Sequence, residues 1–304
     1  MNAKIVGIGA CVADTLYDLA AYPAEDTKAR ALHSRKAGGG PTATALVAAQ
    51  KLGGDAAYIG VLSDDSDGVF LIHDFERYGV DTSLIKIVRG FRSFTSVIWL
   101  CAAGASRTCV FDKGDLTPLV LNEKQTDAIR KADILMVDGN ELSAAVAAAK
   151  IARQSGTTVL YDCGGLYDGV EELLALTDVM IPSGEFARGH TGCADLPAAA
   201  EKLARLYAPR VIVITDGKSG GVLCENGDLR RYPAYPATVV DSNGAGDVFH
   251  GAFAAGLVRG YDYEKCCHFA SAASALKCRG VGARENIPTF ETLNAYLKEN
   301  GYEL

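Results

Sequence analysis

Residues 134–161 read ILMVDGNELSAAVAAAKIARQSGTTVLY, and this stretch indicates the class of fold. Two short apolar runs, 134–137 and 158–161, flank an Ala-rich segment with helical spacing at 143–154. A short buried strand on each side of a helix is typical of a parallel sheet that helices cover on both faces. The stretch therefore predicts one β-α-β unit of an α/β protein.

The same alternation continues along the rest of the chain. Further apolar runs rich in Val and Ile lie at 4–9, 56–60, 179–181 and 211–215. Further segments with helical spacing lie at 42–52, 196–207, 251–259 and 270–277. We therefore expect a doubly wound, mainly parallel sheet with helices on both faces.

Two segments, 27–37 and 89–111, contain alternating patterns without helices between them. They predict antiparallel strands outside the main sheet that form a small β lid, with an ordinary edge hairpin as the alternative. The chain contains no internal repeat and no Pro/Gly/Ser-rich linker. We expect residues 1–304 to form a single domain in which the lid is inserted.

Composition excludes several classes of protein. The chain has 304 residues, is 49% hydrophobic and carries a net charge of −7. An acidic chain of this kind lacks the positive surface that general nucleic-acid and anionic-membrane binders need. No apolar run reaches the ~20 residues that span a bilayer.

The cysteines point to a reducing compartment. The nine cysteines are scattered without a CxxC pair or spacing with His that suits zinc. An odd number of thiols in a large chain without a secretory signal is typical of reduced cysteines. We therefore expect a cytoplasmic protein.

Residues 241–253, DSNGAGDVFHGAF, contain the strongest functional motif. A Gly-Ala-Gly turn at 244–246 opens an Ala-rich helix, where unobstructed backbone N–H groups and the helix dipole favour a bound anion. Asp247 lies at the same helix start, where its carboxylate could accept the proton of an attacking hydroxyl. Read alone, the motif also fits a site without chemistry, in which the glycines only turn the chain and Asp247 only caps the helix.

A second glycine-rich motif, GGGPTAT at 38–44, precedes another helix. Three glycines permit a ligand to approach bare backbone closely. The motif is neither a P-loop nor a dinucleotide fingerprint, because the required Lys-Ser/Thr or G-x-G-x-x-G spacing is missing. The absence of that fingerprint after the first strand also argues against a dehydrogenase.

Taken together, these motifs resemble the ribokinase/PfkB family of carbohydrate kinases over essentially the whole chain. Three further segments carry the resemblance: GACVAD at 9–14, GVLSDDSDG at 60–68 and TDGKSGG at 215–221. The resemblance implies a ribokinase-like fold and transfer of the γ-phosphoryl group of ATP to a hydroxyl of a small sugar. It favours Asp247 as the catalytic base, with the amides of Gly244, Ala245 and Gly246 as the anion cradle.

The resemblance also implies binding residues. Substrate contacts are expected from Asp14, Lys28, Gly39, Gly40, Thr44, Asp138 and Asn140. Of these, Thr44 replaces the usual Asn of the family, and Asp138 and Asn140 follow a strand at the edge where open α/β sheets bind ligands. Nucleotide contacts are expected from Thr215, Gly217, Gly220 and Gly282.

The same resemblance implies binding sites for two kinds of cation. Glu185, in Pro-Ser-Gly-Glu at 182–185, matches the acidic residue of the metal motif and would organise the water shell of Mg²⁺. Asp241 and Asn243 match positions whose carbonyl groups bind a monovalent cation in many members, so the resemblance implies stimulation by potassium. The lids of this family often pair, and we therefore expect a homodimer through the lid.

Within the family, the motifs look most like the sulfofructose kinase subgroup. Lys28 falls near the sulfonate-binding lysine of that subgroup, but Asn140 stands where the subgroup uses an arginine. The resemblance therefore favours a fructose-like ketose more than a sulfonate. The alternatives are a nucleoside kinase, for which Phe91, Phe94 and Trp99 could grip a base, and a non-catalytic sugar or nucleotide sensor.

Overall fold

The structure is a computed structural model that describes residues 4–101, 103–104, 106–165 and 168–304. Its strands are β1 (Ile5–Ile8), β2 (Val12–Leu19), β3 (His33–Gly39), β4 (Ala56–Tyr58), β5 (Gly60–Ser63), β6 (Ile85–Val88), β7 (Thr95–Cys101), β8 (Ser106–Asp112), β9 (Ile134–Val137), β10 (Thr158–Cys163), β11 (Val179–Pro182), β12 (Val211–Thr215), β13 (Gly221–Glu225) and β14 (Asp228–Tyr232). Its helices are α1 (Pro41–Lys51), α2 (Ser66–Arg77), α3 (Glu123–Lys131), α4 (Leu142–Ser155), α5 (Glu171–Ala175), α6 (Gly184–Thr191), α7 (Leu196–Tyr207), α8 (Ala245–Val258), α9 (Tyr263–Lys277) and α10 (Phe290–Glu299).

The main sheet has eight strands in the order β14-β13-β12-β11-β10-β9-β1-β4. The strands from β12 to β4 pair in parallel, and β13 and β14 extend the sheet as an antiparallel edge. The chain moves from β1 to β4 in one direction and through β9 to β12 in the other. The carboxyl ends of β1 and β9 thus form the switch point where open α/β sheets bind ligands.

Helices cover both faces of this sheet, as the alternation predicts. One apolar cluster joins Leu160 of β10 to Leu46 of α1 and Phe253 of α8. A second cluster, on the opposite face, joins Val159 of the same strand to residues of α4 and α7. Successive side chains of a strand point to opposite faces, so the buried parallel strands read as continuous apolar runs.

The lid is a separate four-stranded sheet in the order β3-β2-β7-β8. It differs from the predicted lid in three respects. β2 belongs to it, β3 begins at His33 while residues 27–32 are irregular, and β7 pairs with β2 in parallel. Ala102 and Ala105, within the predicted segment 89–111, lie outside the described residues. Throughout the described ranges, every helix is too short or too polar to cross a bilayer.

Candidate active site

The carboxylate of Asp138 connects the loops at the carboxyl ends of β1 and β9. Oδ2 accepts hydrogen bonds from the amide of Ala10 (2.9 Å) and from the amide and hydroxyl of Thr42 (3.2 and 2.9 Å). Oδ1 accepts from the amide and side chain of Asn140, at 2.8 and 3.2 Å. Five hydrogen bonds exhaust the capacity of a carboxylate, and Asp138 is 2% exposed. The structure therefore places Asp138 behind the cleft, where it fixes the loops, and not among groups available to a substrate as the sequence predicted.

Asp14 lies on β2 of the lid beside the glycine-rich loop. Its Oδ1 accepts a hydrogen bond of 2.6 Å from the hydroxyl of Ser96. A Cβ added to Gly39 would lie 2.0 Å from Oδ2, so only glycine allows the carboxylate to lie against this backbone. Burial raises the pKa of Asp14 to about 6. The structure thus places the predicted substrate residue Asp14 directly against Gly39, which precedes Gly40 in the chain.

Thr44 is placed differently from its predicted role. It is 0% exposed, and its hydroxyl faces the guanidinium of Arg284, whose Nε lies 3.4 Å away. The same guanidinium donates to the carbonyl of Gly39 (2.7 Å) and to the carboxylate of Asp74 (2.6 Å). Thr44 therefore lies behind the glycine-rich loop, because the buried Arg284 occupies the space next to it. Nothing in the sequence motifs singled out Arg284.

The anion cradle occupies the N-terminus of α8. Gly244 precedes the helix with φ +76°, and a Cβ there would lie 2.8 Å from that of Ala283. Within the described residues no side chain caps this helix, although the amide of Ala245 donates to the carbonyl oxygen of Ser242 at 3.2 Å. A Cβ on Gly246 would meet open space. These features make the turn a suitable anion site.

Helix α8 packs directly against α1. A Cβ on Gly251 would lie 2.0 Å from the carbonyl oxygen of Ala45, so this close crossing requires glycine. The start of the helix also faces the end of β10, because Nδ1 of His250 in α8 lies 3.3 Å from the carboxylate of Asp162 in β10. The packing thus brings the cradle and the glycine-rich loop to the same edge of the sheet.

Asp247, in the first turn of α8, has an unusual environment. The residue is partly buried. Burial, followed by the nearby carboxylate of Asp162, raises its pKa to about 7. Asp162 itself is buried at the end of β10, where burial raises its pKa well above the usual value. Sequence reasoning missed Asp162, although its position directly after an apolar run could have indicated it.

His250 follows Asp247 by one helical turn and joins three elements. Its Nδ1 lies 2.6 Å from the carbonyl oxygen of Gly246 and 3.3 Å from the carboxylate of Asp162. Its Nε2 lies 3.0 Å from the carbonyl oxygen of Ile181 in β11. The side chain is 4% exposed. These contacts connect the start of α8 to the sheet.

A cavity of about 730 Å³ adjoins the cradle. Its walls include the predicted nucleotide residues Thr215, Gly217 and Gly220, and it reaches Ala245 and Gly246. The apolar part is formed by Tyr232, Tyr235, Val239 and Phe249. An apolar cleft that ends at a helix N-terminus suits a nucleoside with attached phosphates.

Gly282 is not on the wall of this cavity. It is buried behind the cradle with φ +91°, and its amide donates to Oδ2 of Asp241 at 2.9 Å. Gly282 thus lies where the loop after α9 meets the loop before α8, and its contact with a nucleotide stays a prediction.

The predicted monovalent-cation site holds an amino group of the protein. The carbonyl oxygens of Asp241 and Asn243 both accept hydrogen bonds from Nζ of Lys277, the first at 2.9 Å. A cation bound to the same two oxygens would overlap the lysine and be repelled by its charge. These residues do not fit a potassium ion.

Glu185 is exposed in the first turn of α6, next to the nucleotide loop. A Cβ on the adjoining Gly184 would lie 3.4 Å from the carbonyl oxygen of Thr215. No group of three or more His, Cys, Asp and Glu side chains in the described part of the chain is arranged to hold a metal. Mg²⁺ usually binds phosphates, water and one or two carboxylates, not a cage made by the protein alone. Glu185 fits such a site.

The lid residues lie at the periphery. Lys28 is exposed in the loop between β2 and β3. Trp99 is 37% exposed on β7, with its ring 6.4 Å from that of Tyr22. Arg107 of β8 reaches across to the loop before α8, where it donates to the hydroxyl of Ser242 at 3.2 Å. A cavity of about 420 Å³ lies between β8 and the loop before α8.

The chain is similar in sequence to known carbohydrate kinases. Residues 3–290 match the model of the pfkB family of carbohydrate kinases. The chain is 29% identical over 280 residues to an ATP-dependent ribose-1-phosphate kinase of Halopiger xanaduensis, covering 91% of this chain and 92% of the relative. It is 29% identical to a fructokinase of Klebsiella pneumoniae, with 84% and 85% coverage.

A solved structure shares the fold. The Arabidopsis thaliana ribokinase complexed with ribose and ATP superimposes with a TM-score of 0.88 at 24% identity, over 98% of this chain and 99% of that one. At this identity the likeness concerns the fold alone.

Proposed function

The chain belongs to the pfkB family of carbohydrate kinases, and we propose that it transfers the γ-phosphoryl group of ATP to a hydroxyl of a fructose-like ketose. As a member of this family it is a phosphotransferase that uses an alcohol group as acceptor. ATP as donor is supported by the name of the relative from Halopiger xanaduensis. The ketose is inferred from the sulfofructose kinase-like motifs and agrees with the fructokinase relative.

One observation carries the proposal. A carboxyl group with a pKa of about 7, that of Asp247, lies in the first turn of a helix whose N-terminus opens into the 730 Å³ cavity. A general base is most effective when its pKa lies near the operating pH. The amides of the helix N-terminus beside it supply positive charge where a transferred phosphoryl group would develop negative charge.

Different residues of the site bind the sugar, bind the nucleotide and act on the reacting groups. The sugar lies between the lid and the glycine-rich loop, where Asp14 accepts hydrogen bonds from its hydroxyls and Gly39 and Gly40 allow close approach. The nucleotide lies along Thr215, Gly217 and Gly220. Asp247 removes the proton of the attacking hydroxyl, and the amides of the cradle stabilise the charge on the transferred group.

The other predicted residues support this arrangement. Asp138 and Thr44 position the loops, Asn140 orients Asp138, and Lys28 lies outside the cleft in this conformation. Glu185 would hold a water of the Mg²⁺ shell. Mg²⁺ supplies positive charge to the phosphate oxygens when it is bound.

We further propose a single domain with an inserted lid and a homodimer formed through that lid. The edge strand β8 is exposed along its length, including Val110 and Phe111 at 66% and 60%. An exposed apolar edge strand is a surface that a second copy would cover. A cytoplasmic location stays a prediction from the cysteine pattern.

ADP release with Mg-ATP and a panel of acceptors tests the function. The panel holds ketoses, aldoses, ribose 1-phosphate, sugar acids, sulfofructose and nucleosides. We expect turnover with a free ketose and the highest kcat/KM within that class. Turnover with nucleosides alone, or none with any sugar while ATP still binds, would contradict the proposal.

A further inference from the structure

Lys277, the last residue of α9, is an unusual lysine. It is 0% exposed, whereas lysine side chains are almost never fully buried unless they are paired. A buried amino group needs hydrogen-bond acceptors to offset the loss of water. Nζ finds two, the carbonyl oxygens of Asp241 and Asn243 in the loop before α8.

The same loop is held from its other side by Asp241. Oδ1 of Asp241 accepts from the amide of Asn243 at 2.8 Å, and Oδ2 accepts from the amide of Gly282 at 2.9 Å. Lys277 and Asp241 therefore fix one short segment by its carbonyl and amide groups together. The segment ends at Gly244, where the anion cradle begins.

A second contact from α9 extends this support into the cradle. The hydroxyl of Ser274, one turn before Lys277, donates to the carbonyl oxygen of Ala245 at 2.8 Å. The end of α9 thus holds three carbonyl groups, those of Asp241 and Asn243 before Gly244 and that of Ala245 after it. A small displacement of Lys277 would move the amides that face the transferred group.

The groups that face the amine offset part of the cost of burying its charge. Burial lowers the pKa of Lys277 below its ordinary value, and Asp241, Cys278, Asp247 and Glu285 act in the opposite direction without reversing the shift. The amine also lies at the C-terminus of α9, where the helix dipole is negative.

We propose that the ammonium group of Lys277 replaces a monovalent cation and acts as a positioning residue for the anion cradle. It binds the two carbonyl oxygens that the sequence assigned to a potassium ion, and it leaves no room for such an ion between them. This rests on the proposed phosphotransfer, and it predicts that the reaction does not need potassium.

The first test needs no substrate. Thermal unfolding is measured in KCl and in tetramethylammonium chloride at equal ionic strength, for the wild type, Lys277→Ala, Lys277→Met and the surface control Lys298→Ala. We expect the wild type and Lys298→Ala to melt within about 1 °C in the two salts. Lys277→Ala vacates the cation position and should gain about 2–5 °C in KCl over tetramethylammonium, whereas Lys277→Met fills that space and should not.

The second test uses ADP release with the best acceptor. Wild-type kcat should be the same, to within about twofold, with and without potassium. Without potassium, Lys277→Ala should lose about 10- to 100-fold in kcat with little change in the KM for ATP, because the cradle is misplaced. Potassium or ammonium ions should restore part of this loss, and Lys277→Met should stay impaired in every salt.

Wild-type protein that is stabilised or activated by potassium specifically would overturn the proposal. So would Lys277→Ala with full kcat in potassium-free buffer. If no acceptor supports turnover, the proposed function fails on its own, and the unfolding measurement still decides the role of Lys277. If Lys277→Ala does not fold, the response of the wild type to potassium decides it.

Discussion

At the scale of single residues, the pKa of Asp247 links the structure to a measurable property. Burial and the carboxylate of Asp162 both disfavour its ionised form, and the pKa rises from 3.8 to about 7. A base must be deprotonated to act, so the active fraction of the enzyme grows as the pH rises through this value.

We therefore expect kcat/KM for the sugar to fall about tenfold per pH unit below an apparent pKa of about 7 and to level off above it. The measurement is initial-rate ADP release between pH 5 and pH 9 with Mg-ATP in excess. Asp162→Asn removes the negative charge near Asp247 and should move the acidic limb of the pH profile, where kcat/KM falls, to lower pH. It should not abolish the limb, because burial, the larger cause of the shift, remains.

The matched control is Asp133→Asn, which changes an aspartate at the opposite end of the sheet. Its profile should coincide with that of the wild type. An acidic limb near pH 4, or one that Asp162→Asn leaves unmoved, would contradict this account of the Asp247 environment.

Sequence reasoning at this scale succeeded where the backbone itself is the functional group. The Gly-Ala-Gly turn and the aspartate after it are local, so their placement at a helix start could be predicted from adjacent residues. Thr44 and Gly282 could not be placed in this way. The contacts that bury them come from Arg284 and Asp241, which lie 240 and 41 positions away along the chain.

At the scale of elements, the start of α8 depends on glycine at position 244. Gly244 has φ +76° and Gly192, at the end of α6, has φ +72°. A Cβ on Gly244 would lie 2.8 Å from that of Ala283, whereas a Cβ on Gly192 would meet open space. The two positions share the backbone strain and differ in what surrounds them.

We expect Gly244→Ala and Gly192→Ala each to lower the free energy of unfolding by about 1–2 kcal/mol through that strain. Only Gly244→Ala should also lower kcat/KM, by about 10- to 100-fold, because the contact with Ala283 moves the cradle. Urea denaturation and ADP release measure the two effects. Equal activity of the two variants would contradict a role for the cradle geometry.

The lid shows why elements are easier to predict than their partners. The alternation in 89–111 indicated strands, and the structure has β7 and β8 there. The parallel pairing of β7 with β2 was not predicted, because the first residues of β2 belong to the GACVAD segment at 9–14, which follows β1 directly. Pairing between distant strands is set by tertiary packing, which period-2 patterns do not encode.

At the scale of the whole molecule, Arg284 connects parts of the chain that are far apart in sequence. Its guanidinium is 0% exposed and joins the loop after α9 to the glycine-rich loop and to Asp74 of α2. Removing one partner of a buried ion pair leaves the other charge without compensation. The fold class follows from local alternation, but this long-range link does not.

Arg284→Ala should therefore lower the free energy of unfolding by about 3–5 kcal/mol in urea denaturation. The control Arg130→Ala removes an exposed ion pair with Asp127, 3.1 Å long, and should cost less than about 1 kcal/mol. A similar small loss in both variants would show that Arg284 is not a principal link between the loops.

The central claim is that Asp247 removes the proton of the attacking hydroxyl, and Asp247→Asn tests it most directly. The control is Asp127→Asn, which changes an exposed aspartate of α3. With the best acceptor of the panel, the account predicts that Asp247→Asn lowers kcat about 10²- to 10⁴-fold while the affinity for ATP is kept and Asp127→Asn stays active. A folded Asp247→Asn protein with kcat near that of the wild type would contradict the claim.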